Sequence, residues 1–371
     1  VNLPSNHLPY YLGALLLCGI FHEFGHAVAA AREDIRVQAA GIFVLGVYPG
    51  AFVDLNSADL ALVSPARRLR VFCAGVWHNT VLALGAILLL IRPAWLLAPL
   101  GYSNASGAVV TWLAAGSVLS GQQGLYPGDV IVRVNQCPVV SPSGYYNCVA
   151  GVFAAEQQGH CLHRGLLLPA ASHPPPLSSS GTDFCCRHGN ASSADSDPDS
   201  ASRLCFLADG GAASACLPAR AVVEQQPACA RASDCPAGAV CARPAVDNVS
   251  RLVSVGHDPA RPALLFLGEA PELYYSLALS EFRPPALLPL WLPAAIDTGM
   301  RYIVSLSGAL ALLNAAPCYA LDGQWILAAL LDILIVGDAK LRRTVYKSVL
   351  TAGTGLLALD LLLALRYLYY Y

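Results

Sequence analysis

Charged residues are scarce in this sequence of 371 residues, whose formal net charge is −2 at pH 7. They make up 12% of the chain, whereas an ordinary soluble domain contains ~25%. No block of lysine or arginine occurs, so the sequence gives no electrostatic reason to expect a nucleic-acid partner. Because 56% of the residues are hydrophobic, the composition indicates a protein that lies in a lipid bilayer.

Four apolar stretches are long enough to cross the ~30 Å hydrocarbon core of a bilayer as helices, which takes about 20 residues. They are residues 8–32, 69–100, 299–336 and 347–371. Between the first two, residues 41–55 read GIFVLGVYPGAFVDL, and the glycines and proline favour a strand pair or a re-entrant loop over a further span. The first stretch contains ionisable residues where a cleavable signal peptide has none, so we interpret the sequence as a fragment or a processed form.

Cysteine is distributed unevenly. Three cysteines lie in the apolar stretches: Cys18, Cys73 and Cys318. The other ten crowd into one polar region: Cys137, Cys148, Cys161, Cys185, Cys186, Cys205, Cys216, Cys229, Cys235 and Cys241. An even set in a polar region indicates disulfides in an oxidising compartment, and a zinc site is the alternative, although the cysteines lack paired C-x-x-C spacing.

N-glycosylation sequons fall in or just before the same region, at Asn104, Asn190 and Asn248. A lumenal domain would carry glycans there. Orientation can also be inferred from loop charge, because cytosolic loops carry an excess of lysine and arginine. The stretches joining the first two and the last two spans contain Arg32, Arg36, Arg67, Arg68 and Arg70, and Lys340, Arg342, Arg343 and Lys347. Both signals predict that the large polar region is lumenal.

This polar region, residues 103–286, is predicted to fold outside the membrane. Its Ser-rich and Pro-rich segment 170–202 is predicted to be disordered. On either side, GLYPGDVIVRVNQCPV (124–139) and RPALLFLGEAPELYYSLALSEF (261–282) alternate as strands do. The first resembles the Gly-Asp turn and following strand of a PDZ domain. The predicted fold is a multi-span α-helical membrane protein with a PDZ-like α+β lumenal domain that carries a Cys-rich insertion at about residues 150–245.

The predicted domain plan has three parts. Residues 1–102 form a membrane region with the first span, the re-entrant β segment and the second span. Residues 103–286 form the lumenal domain, and residues 287–371 form a membrane region with the last two spans.

The motif FHEFGHAVAA lies within the first span. His22 and His26 are four residues apart, so a helix places both on one face, with Glu23 beside them. In an H-E-x-x-H motif the two imidazoles bind zinc, and the carboxylate takes a proton from the metal-activated water. A chance occurrence is the alternative, but an ionised residue in an apolar span costs ~2.5 kcal/mol or more, so this group needs a partner such as a metal.

Catalytic zinc usually has three protein ligands, so one more is expected. The candidate is Asp322 in NAAPCYALDGQW, where Pro317 should break the third span and let the acid reach the metal. The alternative is that Asp322 caps the following helix, and the two roles are compatible. His78 could be a spare ligand, but an imidazole hydrogen-bonded to a carbonyl is the preferred interpretation.

These residues closely resemble the site-2 protease family of intramembrane zinc metalloproteases, which pairs an H-E-x-x-H span with a later N-x-x-P-x-x-x-L-D-G span. Asn314, Pro317 and Leu321 to Gly323 fit the second pattern, and the stretches GAFVDL, AGVWHN and SLSGALALLNA are similar to the animal branch. The resemblance implies one Zn²⁺ held by His22, His26 and Asp322, with Glu23 as the catalytic base. It also implies that Asn314, and Gly75 and Asn79 of a G-x-x-x-N span, contact the substrate.

The predicted function is hydrolysis of peptide bonds in the transmembrane segments of membrane-anchored proteins. The resemblance implies a Golgi or endoplasmic reticulum membrane and the release of membrane-tethered transcription factors in sterol and ER-stress signalling. A soluble zinc peptidase is disfavoured because the helix ahead of His22 has no polar stripe. A non-proteolytic metal transporter or a PDZ-type adaptor is the remaining alternative.

Overall fold

The computed structural model describes residues 4–121, 123–169, 186, 203–257 and 261–370. The chain divides into two compact units, Val1–Leu100 with Ala294–Tyr371, and Gly101–Pro293. The predictions made for Cys185, for Asn190 and for disorder across 170–202 lie outside the described residues, apart from Cys186.

The first unit begins with a long helix and a hairpin. Helix α1 spans Leu8–Arg32, and strands β1 (Val37–Leu45) and β2 (Tyr48–Leu55) pair antiparallel. Gly46 starts the two-residue turn with a φ of +64°, a conformation that glycine adopts at no steric cost. Of the two alternatives for residues 41–55, the strand pair is therefore the observed one. Three helices follow: α2 (Ser57–Leu62), α3 (Pro65–Ile91) and α4 (Ala94–Leu97).

Among its described residues, the second unit contains most of the strands and three short α-helices. A three-stranded sheet has the order β15-β3-β4, a four-stranded sheet β14-β13-β5-β6, and a six-stranded sheet β11-β7-β12-β9-β10-β8. The strands are β3 Ser103–Leu113, β4 Val130–Ile131, β5 Arg133–Val134, β6 Cys137–Pro138, β7 Gly159–His163, β8 Leu168–Pro169, β9 Arg203–Ala208, β10 Ala213–Pro218, β11 Ala228–Cys229, β12 Ala239–Pro244, β13 Arg251–Gly256, β14 Leu264–Gly268 and β15 Leu277–Arg283. The helices are α5 Pro142–Ala154, α6 Ala219–Gln225 and α7 Ala270–Tyr275.

Two separate hydrophobic cores support these sheets. One is built from buried residues of 108–149 and 253–277, and the other from buried residues of 162–252. The chain thus leaves the first core, builds the second and returns. Disulfides reinforce both parts: Cys137–Cys148, Cys161–Cys235, Cys186–Cys216 and Cys229–Cys241. Cys205 is also disulfide-bonded, while Cys18, Cys73 and Cys318 are free thiols.

The Gly-Asp turn ahead of β4 is held by a carboxylate. Asp129 accepts a hydrogen bond from the backbone N–H of Tyr126 at 2.8 Å and forms an ion pair with Arg261. Burial raises the pKa of this carboxyl, but the Arg261 guanidinium and the Tyr126 N–H outweigh burial and hold the pKa below its usual range. The turn therefore carries a charged group that ties two distant parts of the chain together.

The prediction of strands throughout residues 261–282 is wrong for residues 270–275, which form α7. Pro271 lies in the first helical turn, where its missing N–H costs nothing. Leu273 is buried in the first core, and the ring of Tyr274 stacks on Tyr146 of α5. Tertiary packing has therefore overridden the strand-like alternation.

The chain returns to the first unit through α8 (Leu292–Ala315), α9 (Asp322–Leu334) and α10 (Ala339–Tyr370). The third predicted span is therefore two helices, separated around Pro317 as the proline predicts. Within the described residues, three helices are long and apolar enough to cross a membrane: Ser5–Arg32, Pro65–Ile91 and Ala339–Tyr367. Their outer surfaces expose large apolar side chains such as Leu84 and Leu362, as helices facing lipid must.

Candidate metal centre

Helix α1 turns the two histidines of the H-E-x-x-H motif toward α3. His22 is 6% exposed and His26 is 8% exposed, so both imidazoles are buried inside the first unit. Their Nε2 atoms lie 3.2 Å apart, because four helical residues make about one turn. The motif therefore presents two nitrogen donors to one point.

Asp322 brings the third donor from a distant part of the chain. Its Oδ2 atom lies 2.7 Å from Nε2 of His22 and 3.2 Å from Nε2 of His26. The residue occupies the first position of α9, just after the break, and Ala320 within the break has a φ of +66°. Asp322 does not cap α9, because Leu321 is the N-cap residue and no side chain forms a capping hydrogen bond there. A carboxylate in the first turn still interacts favourably with the helix N-terminus, and this is compatible with its predicted role as a metal ligand.

The donor set fits a zinc ion. Zinc binds imidazole nitrogen and carboxylate oxygen at about 2.0–2.2 Å in a tetrahedral arrangement, which separates neighbouring donors by roughly 3.3 Å. Two of the three donor separations are 3.2 Å, and the third is 2.7 Å. In the part of the chain that the structure describes, the other group with metal-ligand spacing is Cys161, Cys229 and Cys235, but these sulfurs are in disulfides and are not thiolate donors.

Each imidazole is held by its second ring nitrogen. Nδ1 of His26 lies 2.8 Å from the backbone oxygen of Val71, and Nδ1 of His22 lies 3.2 Å from Nδ2 of Asn79. Such contacts fix the orientation of metal-binding rings. Nδ1 of His78 lies 2.8 Å from the oxygen of Ala74, which agrees with its preferred interpretation as an imidazole bonded to a carbonyl.

Two glycines let α1 and α3 approach closely. A Cβ atom on Gly75 would lie 2.4 Å from Nε2 of His26 and 2.6 Å from Cε1 of His22. A Cβ atom on Gly25 would lie 2.7 Å from the backbone oxygen of Ala74. Small residues at helix contacts allow this close packing in membrane bundles, so the histidines sit directly against the backbone of α3.

Glu23 is half-buried and follows His22 on α1. The hairpin packs against the same helix, and the backbone of Val53 on β2 lies beside the Glu23 carboxylate. Asn314 is half-buried near the C-terminal end of α8, eight residues before Asp322. Whether Asn314, Gly75 and Asn79 contact a substrate stays a prediction.

Sequence reasoning missed Ser307. This residue is fully buried, and its hydroxyl donates a 2.9 Å hydrogen bond to the backbone oxygen of Asn79. A small polar residue within an apolar helix is the signal that could have found it, because such residues commonly lie at helix contacts.

Two of the predicted glycosylation sites are described, and both are exposed. Asn104 is the second residue of β3. Asn248 lies in a turn where Asp247 accepts hydrogen bonds from the N–H groups of Val249 and Ser250. Both asparagines are therefore accessible on the surface of the second unit.

Two imidazoles, a carboxylate and an adjacent glutamate that meet within apolar helices define a membrane metallohydrolase. Comparison with known proteins agrees with this class, because residues 10–254 match the model of peptidase family M50. The chain belongs to this family, that of the site-2 proteases, which confirms the resemblance found in the sequence and makes the chain a membrane metalloprotease. It is also 25% identical over 373 residues to the membrane-bound transcription factor site-2 protease homolog of Arabidopsis thaliana, covering 88% of this chain and 70% of the relative.

Proposed function

We propose that this chain is a zinc endopeptidase that hydrolyses peptide bonds in the membrane-spanning segments of membrane-anchored proteins. The observation that carries the proposal is the convergence of His22, His26 and Asp322 within a unit of apolar helices. Imidazole and carboxylate ligands that leave one position open suit catalytic zinc. A site surrounded by lipid-facing helices favours substrates that are themselves in the bilayer.

The chemistry of the site follows from its residues. When bound, zinc polarises the scissile carbonyl and lowers the pKa of a coordinated water to about 7. Glu23, next to His22, accepts the proton of the attacking water and passes it to the leaving amine. Asn314, Gly75 and Asn79 are proposed to contact the substrate backbone near the bond that breaks.

A helical substrate must unwind before its backbone reaches the metal. The hairpin provides edges for an unwound segment, because β1 and β2 each pair through one edge with the other and, among the described residues, with no further strand. Addition of the substrate segment as a further strand would provide hydrogen-bond partners for its backbone N–H and C=O groups, which lipid cannot provide. The contact between β2 and α1 would keep such a segment in the neighbourhood of Glu23.

The membrane orientation supports a cut on the cytosolic side. We place the disulfide-rich unit, interpreted as a PDZ-like domain with a Cys-rich insertion, in the lumen, so α1 runs from lumen to cytosol. His22 lies fourteen residues after Leu8, about 21 Å into a ~30 Å core at ~1.5 Å per residue. The metal is therefore nearer the cytosolic surface.

The biological substrates are proposed to be membrane-tethered transcription factors in a Golgi or endoplasmic reticulum membrane. The name of the Arabidopsis relative refers to transcription factors, and we extend that substrate class to this chain, with sterol and ER-stress signalling as the processes served.

The decisive experiment is cleavage of a panel of tagged single-span proteins by the wild-type chain and by Glu23→Gln. We expect Glu23→Gln to lose about 10²- to 10⁴-fold in cleavage rate, the usual contribution of a general base, while it still binds zinc. Asp34→Asn is a matched acid-to-amide control, because Asp34 is 93% exposed in its side chain and has a φ of +60°, which asparagine tolerates.

Retention of cleavage by Glu23→Gln would overturn the proposal. A metal transporter would instead keep its zinc flux in Glu23→Gln and release no substrate fragment in either form. The new terminus of any fragment is mapped in the same experiment, and a cut in the lumenal third of the substrate span contradicts the proposed orientation.

A further inference from the structure

Asn79 makes a contact with the metal centre that a substrate-binding residue does not need. Its side chain is fully buried and its Nδ2 atom lies 3.2 Å from Nδ1 of His22. The other amide atom, Oδ1, is buried with no hydrogen-bond partner among the described residues. The Asn79 amide therefore contacts the His22 imidazole through Nδ2, while its Oδ1 atom has no hydrogen bond in the described part of the chain.

The partners of the two histidines differ in kind. Nδ1 of His26 faces the backbone oxygen of Val71, which can only accept, so a neutral His26 keeps its proton on Nδ1 and its lone pair on Nε2. Nδ1 of His22 faces an amide, and an amide can either donate or accept. The ring of His22 is thus the one whose tautomer is not dictated by its backbone surroundings.

Two hydrogen-bond arrangements fit the same atom positions. In one, Nε2–H of His22 donates to Asp322, 2.7 Å away, and the Asn79 NH₂ group donates to Nδ1. In the other, Nδ1–H of His22 donates to Oδ1 of Asn79, and Nε2 carries a lone pair. A half-turn of the amide interconverts them, and each leaves one amide atom without a partner. Without a metal the first arrangement has one hydrogen bond more, because in the second the lone pair on Nε2 of His22 faces the carboxylate of Asp322.

A metal selects between these arrangements, because a metal-bound Nε2 cannot carry a proton. We propose that Asn79 is a positioning residue for zinc. When the metal binds, the Asn79 amide turns its Oδ1 toward Nδ1–H of His22. When Nε2–H of His22 instead donates to Asp322, the amide turns its NH₂ group toward Nδ1. The imidazole stays neutral in both arrangements. The inference rests on the proposed zinc site and not on cleavage.

The test is zinc affinity of the full detergent-solubilised chain, measured by competition with a chromophoric chelator. Asn79→Leu keeps the approximate size of the side chain and removes the acceptor, and we expect its zinc affinity to fall about 10- to 100-fold, as for other residues that orient metal ligands. Asn79→Asp supplies an acceptor-only group, and we expect it to remain within about threefold of wild type or to bind more tightly.

Thr80→Val is the control, because Thr80 follows Asn79 and its hydroxyl donates to Val76 within the same helix. We expect it to bind zinc like wild type. If Asn79→Leu does not fold, Asn79→Ala replaces it with the same expectation.

Wild-type zinc affinity in Asn79→Leu or Asn79→Ala would overturn the proposal, and so would an equal loss of zinc affinity in Asn79→Leu and Asn79→Asp. If the wild-type chain cleaved no substrate, that result would count against the proposed function. The zinc affinities of the variants would still test the role of Asn79.

Discussion

Gly75 lies where the two imidazoles meet the backbone of α3. Replacing it with alanine would put a methyl group 2.4 Å from Nε2 of His26 and 2.7 Å from Nε2 of His22, so both rings must move. A displacement near 1 Å can cost about 10²-fold in rate. We expect Gly75→Ala to lose cleavage by about that factor and to bind zinc at least about tenfold more weakly, as measured by chelator competition.

The matched control for this residue is Gly85→Ala on the same helix. A Cβ atom at Gly85 meets nothing within 4 Å, so the variant should keep zinc affinity and cleavage. Equal effects of the two substitutions would show that α3 responds to lost glycine flexibility rather than to crowding at the imidazoles.

At the scale of elements, the break between α8 and α9 positions Asp322, the proposed third zinc ligand. A Cβ atom on Gly323 would lie 1.8 Å from the backbone oxygen of Ala316, and a backbone atom cannot move aside as a flexible side chain can. We expect Gly323→Ala to shift Asp322 and to reduce zinc bound after gel filtration to less than about a tenth of the wild-type content, with little change in helicity by circular dichroism.

Gly308→Ala serves as the comparison, because Gly308 lies on α8 and its added Cβ would have open space around it. Normal zinc content in Gly323→Ala would mean that the break tolerates a side chain and that its shape does not set the position of the ligand.

Local patterns predicted the elements that carry their own signals. The H-E-x-x-H spacing indicated that both histidines lie on one face of α1, and Pro317 indicated the break. The glycines and proline of residues 41–55 indicated a strand pair or a re-entrant loop, and the strand pair is observed. Contacts between distant segments leave no local pattern. The hydroxyl of Ser307 reaches the backbone of Asn79 across 228 residues, and the helical state of α7 depends on its packing against α5, so neither could be predicted from one sequence.

The excess of arginine and lysine in the loops predicted the membrane orientation, but it did not predict which acidic residues these side chains pair with. Glu33, just after α1, accepts hydrogen bonds from Arg67 and Arg70 at the start of α3. Asp332 of α9 forms ion pairs with Arg68 and Arg342. These arginines therefore also connect the ends of neighbouring helices.

For the whole molecule, the distribution of thiols follows the division into units. The free cysteines lie in the unit of apolar helices, and the disulfides lie in the other unit. We expect alkylation of the denatured, unreduced protein to label three cysteines, Cys18, Cys73 and Cys318, because buried thiols among apolar helices behave as small hydrophobes. Mass spectrometry of the labelled peptides identifies them.

Reduction before alkylation provides the reference and should label all 13 cysteines. Labelling of most cysteines without reduction would contradict an oxidising compartment for the second unit. Removal of N-glycans from Asn104 and Asn248 by a glycosidase, seen as increased gel mobility, would place the same unit in the lumen independently.

Helix α10 contributes none of the three proposed zinc ligands, yet it contacts the break that positions Asp322. The N–H of Tyr319 donates to the hydroxyl of Thr354 at 3.0 Å, and a Cβ atom on Gly353 would lie 2.4 Å from the backbone oxygen of Pro317. In a random-mutagenesis screen, inactivating substitutions should therefore form a second group at positions 353 and 354, more than 300 residues along the chain from the motif that performs the chemistry.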